Sequence, residues 1–225
     1  MDKDLLKCKT DEEAANYVPP PELSTFGFNS DRSLQNLLAY SKKNSETFEF
    51  STNRMPAMLT SDINKIFLND HGIQVNYTKK FGSERAIFDK GHQKINTIMS
   101  LSFKTDNKMN GWNEKVQLER IEKMDEFVAI AQQISFLLIE DGYFCDFIDP
   151  TTGRPWFSNK ENSENLQVLE TNDNFDGLGN IEIQDMGCCR VLSHKEFGLN
   201  CFVGTIVSNC PEDYDILKKL EGVRV

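Results

Sequence analysis

The chain has 225 residues, 39% hydrophobic and 27% charged, which is enough apolar material for one large domain with its own core. A formal net charge of −10 sets it against phosphate backbones and anionic lipid, so neither nucleic acid nor a membrane is expected as a partner. No apolar run approaches the roughly 20 residues of a membrane span. The opening MDKDLLKCKTDEEAAN has neither an apolar signal core nor an Arg-rich transit pattern, which points to a cytoplasmic chain.

Residues 1–55 read as a flexible or partner-wrapping arm: three consecutive prolines favour extended backbone, and Phe26 and Phe28 are its candidate anchors. Residues 56–225 read as one α+β domain. Its first predicted helix lies in LTSDINKIFLNDHG, with Ser61 as N-cap and Gly72 as terminator; HGIQVNYTKKFGS then alternates weakly as a strand. KINTIMSLSFKT alternates more strongly and puts Ile95, Thr97, Met99, Leu101 and Phe103 on one face. Asn110-Gly111 predicts a hairpin turn anchored by Trp112, with EKVQLERIE as the return strand. Over 122–141, Met124, Phe127, Ile130, Ala131, Ile134, Leu137 and Leu138 recur at helical spacing, and Gly142 follows as a stop. YFCDFIDP predicts a short buried strand, and TTGRPWF a turn and an edge carrying Trp156. Residues 159–180 predict a long polar loop. CCRVLSH and NCFVGTIVS predict two more strands, the second central; a final helix should begin at Pro211 and close at Gly222. The sum is an α+β layer fold with a mostly antiparallel sheet and packed helices.

The chemistry-bearing candidates are few. Cys8, Cys145, Cys188, Cys189, Cys201 and Cys210 contain no C-x-x-C, and nothing matches a zinc, P-loop or dinucleotide pattern. Asp146 and Asp149 fall on opposite faces of a strand and do not form a carboxylate pair; Asp149 reads as a turn residue before Pro150. His71 and His92 lie in weakly patterned stretches.

The adjacent pair in QDMGCCRVLSH is the unusual feature. On an extended 188–193, Cys189 would share a buried face with Val191, and Cys188 a wetter face with Arg190, Leu192 and His194. Spacing alone favours two inert thiols. The functional alternative is one exposed thiolate, Cys188, with Gly187 clearing space for a large group and Arg190 and His194 tuning the sulfur. A vicinal disulfide would be a strained, easily reduced switch.

EDGYFCDFIDPTTGRPWF, ETND, DMGCCRVLSHKEFG, VGTIVSN and LKKLEG together resemble the cobalamin trafficking protein D family, also called methylmalonic aciduria and homocystinuria type D protein. The resemblance is close from about 95 to 222 and loose before that, and Met186 stands where the family usually has leucine. It implies a fold similar to the flavin nitroreductases but without flavin, and an adaptor rather than an enzyme. It implies a complex with the cobalamin-processing protein C, and routing of cobalamin toward methionine synthase, as part of a methionine synthase complex, and methylmalonyl-CoA mutase. It implies a cofactor-binding block at Gly187, Cys188 and Cys189, with a thiolate on cobalt, and a mitochondrial as well as a cytoplasmic form. A nitroreductase-like flavoenzyme or thiol oxidoreductase is the alternative.

Overall fold

A computed structural model describes residues 30–67, 94–157, 169, 173–187 and 189–222. In chain order these form α1 (Ser30–Lys43), β1 (Phe48–Arg54), α2 (Ala57–Phe67), β2 (Thr97–Lys104), α3 (Glu114–Glu140), β3 (Cys145–Phe147), a short 3-10 turn at Asp173–Phe175, β4 (Ile181–Asp185), β5 (Arg190–His194), β6 (Cys201–Ser208) and α4 (Asp215–Glu221). Four strands make an antiparallel sheet in the order β1-β2-β6-β3, while β4 and β5 pair only with each other. The α+β layer expectation holds. Among the described residues no helix is long and apolar enough to cross a membrane.

The two sheet faces differ in chemistry. Directly opposed antiparallel residues share a face, so the registers Phe48↔Phe103↔Phe202 and Phe50↔Leu101↔Gly204 set an aromatic and aliphatic face. Phe127 of α3 packs there against Phe147 and Phe202, with ring centroids 5.6 and 6.4 Å away. The other face carries Glu49, Ser51, Ser100, Ser102 and Asp146, all buried. β2 is therefore covered on both sides, and its buried residues run continuously rather than alternating.

Four predicted elements take another form or other bounds. Residues 30–54, read as part of the arm, instead build α1 and the edge strand β1, because Phe48 and Phe50 complete the aromatic face; residues 1–29 lie outside the described residues. The expected return strand is the start of α3: the Asn113 side chain accepts the Val116 N–H, and Glu119 takes the N–H groups of Asp106 and Asn107. Trp112 is consequently no hairpin anchor but 84% exposed, with the Arg120 guanidinium 5.4 Å from its ring centre. Ser61 lies inside α2 rather than capping it, and α4 starts at Asp215, after a turn closed by Tyr214 N–H on the Pro211 carbonyl. Gly222 does cap α4. The weak strand expected after His71, and His92, fall outside the described residues.

Candidate functional site

Gly187 and Cys189 sit at the turn of a β-hairpin whose first strand the sequence concealed. β4 and β5 pair from Ile181↔His194 at the root to Asp185↔Arg190 near the tip. Met186 N–H donates to the Cys189 carbonyl at 2.9 Å and closes the turn. Asp185 Oδ1 accepts the Gly187 N–H at 2.7 Å, and Gly187 has φ +80°, the left-handed region that glycine enters without a Cβ penalty. A Cβ built on Gly187 would meet nothing within 4 Å, so it is the backbone conformation and not crowding that calls for glycine here.

Cys188 lies outside the described residues. Cys189 is exposed, not the small core residue that alternation implied. Face parity fails because the hairpin leaves the sheet. Burial follows distance from the root instead: Arg190 is exposed, Leu192 half-buried and His194 buried, although all three share one side. On β4 the side still matters near the root, with Ile181 buried, Glu182 exposed and Ile183 half-buried, while Gln184, Asp185 and then Met186 are all exposed, Met186 at 45%.

The two expected tuning residues differ in place, Arg190 beside Cys189 near the tip and His194 at the root. Arg190 Nη1 lies 3.1 Å from Asp173 Oδ2, an exposed ion pair of the kind worth at most about 1 kcal/mol. His194 is about 13 Å along the strand from Arg190, at a rise near 3.3 Å per residue. It is 1% exposed and stacked on Phe197 with ring centroids 4.3 Å apart. Its Nδ1 accepts from the Glu196 and Phe197 N–H groups, so Nε2 carries the ring proton and donates it to Glu49 Oε2 at 2.9 Å. Burial lowers the His194 pKa and keeps the ring neutral.

Nothing in the spacing of residues 30–54 signals the contacts around Glu49. Its carboxylate also accepts from Asn180 Nδ2, 3.2 Å from each oxygen. Asn53 Oδ1 accepts the Gly179 N–H at 3.2 Å, and a Cβ on Gly179 would stand 2.3 Å from Ser51 Oγ. The GLGN stretch thus serves as the hairpin's close approach to β1.

The other described cysteines are of a different kind. Burial pushes Cys201 up to about 12, and raises Cys145 and Cys210 as well. Asp146 is buried and accepts the Phe147 and Phe157 N–H groups; Asp149 binds the Thr151 N–H and the Thr152 hydroxyl, a turn role as expected. Trp156 stacks on Phe147 at 5.1 Å. Among the described residues no three His, Cys, Asp or Glu side chains are grouped to hold a metal.

A family model described as methylmalonic aciduria and homocystinuria type D protein matches residues 29–221. The cobalamin trafficking protein CblD of Homo sapiens is 36% identical over 125 residues, which is 56% of this chain and 41% of the human protein. The Mus musculus and Gallus gallus proteins of the same name are 35% and 32% identical over 125 and 126 residues, with the same shares covered. The chain thus matches less than half the length of these curated relatives.

Proposed function

The chain belongs to the methylmalonic aciduria and homocystinuria type D protein family, and from that premise we propose that it is a non-catalytic adaptor in cobalamin trafficking. The observation that carries this reading is an exposed Cys189 beside an exposed Gly187 at the turn of a hairpin outside the four-stranded sheet. A projecting thiol can reach into a cofactor held by another protein, whereas a buried one cannot.

In this reading Cys188 supplies the thiolate, and Cys189 beside it is the second candidate. Cobalt favours sulfur as a soft donor, and the metal's charge favours the deprotonated thiol. Gly187 leaves the approach to the turn open. Arg190, held by Asp173, keeps a positive charge next to the cysteines without blocking them. The cobalamin-processing protein C holds the cofactor in the complex, and the adaptor directs it toward methionine synthase and methylmalonyl-CoA mutase.

Mixing the full chain with cobalamin-loaded protein C should change the absorption and EPR spectra of the cobalt. Cys188→Ser should abolish that change and Cys189→Ser should leave most of it. The opposite pattern moves the ligand to Cys189, and a change that survives both substitutions together sinks the thiolate reading.

A further inference from the structure

We infer that Glu49 is the positioning residue of the thiol hairpin: its one carboxylate fastens both strands of the hairpin root to the sheet. Asn180 immediately precedes β4, and His194 is the last residue of β5. The two chains are joined there, with Lys195 N–H on the Asn180 carbonyl at 2.8 Å. Glu49 accepts from both side chains, Asn180 through Nδ2 and His194 through Nε2.

The rest of the root supports the same strand. The inward polar positions of β1 alternate as Glu49, Ser51 and Asn53, and each one meets the hairpin's base. Leu178 and Ile181 add apolar burial on the β4 side, while on β5 the buried residues are Ser193 and His194, so the polar contacts are what tie the β5 end to β1. A hydrogen bond to a charged group contributes more than a neutral one, and a buried carboxylate with lost donors is costly. The seating of the hairpin root therefore depends on a side chain from a strand distant in the sequence.

The inference rests on the reading of the hairpin as the thiol-bearing contact, yet it can be tested on the full chain without cobalamin. Amide hydrogen exchange resolved along the sequence reads the seating directly. In Glu49→Ala the amides of β4 and β5 should exchange about tenfold faster or more, while those of β2 and β6 keep their wild-type rates. Glu49→Gln, which keeps the volume and one acceptor, should fall between. Should Glu49→Ala not fold, Asn180→Ala removes one donor only, and a selective rise at the hairpin is expected there too. Hairpin rates that stay at wild type, or that rise in step with β2 and β6, overturn the inference. A cobalt spectrum that survives both cysteine substitutions counts against the ligand alone, because the exchange readout uses no cobalamin.

Discussion

A methyl group on Gly204 would stand 2.1 Å from Cδ2 of the Phe127 ring, so the central strand β6 carries a bare backbone where the long helix presses closest. The ring fills that hollow and touches Phe147 and Phe202 around it.

Gly204→Ala should therefore overpack the sheet and destabilise the protein by about 1–3 kcal/mol, with Phe127→Ala costing about 3–5 kcal/mol for its cavity. Urea midpoints at constant m-value measure both. Pairing Gly204→Ala with Phe127→Leu should cost less than the sum of the two single changes, because the smaller side chain makes room for the methyl.

His194 links stability to pH. Its folded pKa lies below the ordinary 6.5, so between the two values the unfolded chain binds more protons. Its contribution is full above about 6.5 and is lost as pH falls toward the folded value. Glu49, Glu182 and Glu196 pull toward protonation, while burial and Lys195 oppose it; a proton on Nδ1 would also face the Glu196 and Phe197 N–H groups. Urea midpoints from pH 7.5 down to 5.5 should fall more steeply for wild type than for His194→Gln. His71 and His92 are common to both proteins and cancel in the comparison.

The thiols should sort by location. Under native conditions iodoacetamide should modify Cys189 well before Cys145, Cys201 and Cys210, which burial keeps protonated. Mass spectrometry of a time course identifies the sites. Early labelling of Cys201 would contradict its placement.

Asn113→Ala should remove the cap on α3 and cost about 1 kcal/mol, read as a lower melting temperature with the sheet retained. A hairpin at this point, as Asn110-Gly111 suggests, would leave Asn113 nearly neutral to substitution.

Legibility tracked the source of each signal. β2 and the second half of α3 were readable from the spacing of their apolar residues, and β6 from its nearly unbroken run of apolar and small ones. The first turns of α3 misread as a strand because Val116 and Leu118 alternate; the cap at Asn113 and the Glu119 contacts to the preceding loop decide the outcome. β1 was hidden because FEFSTNR buries both faces, the polar one against side chains more than 100 residues away in sequence. Alternation found the strand β5 but not the exposure of Cys189, since β5 is wetted increasingly toward the hairpin's tip.

The three-point footing of the hairpin on β1 makes it a poor candidate for transplantation. A loop graft carrying residues 179–198 to another scaffold would bring His194 and Asn180 without the carboxylate they share. The donors would then face a foreign surface, and the thiol turn would swing with them. Moving this contact to a designed receptor means moving strand β1 as well, although it is distant in the chain and carries no cysteine.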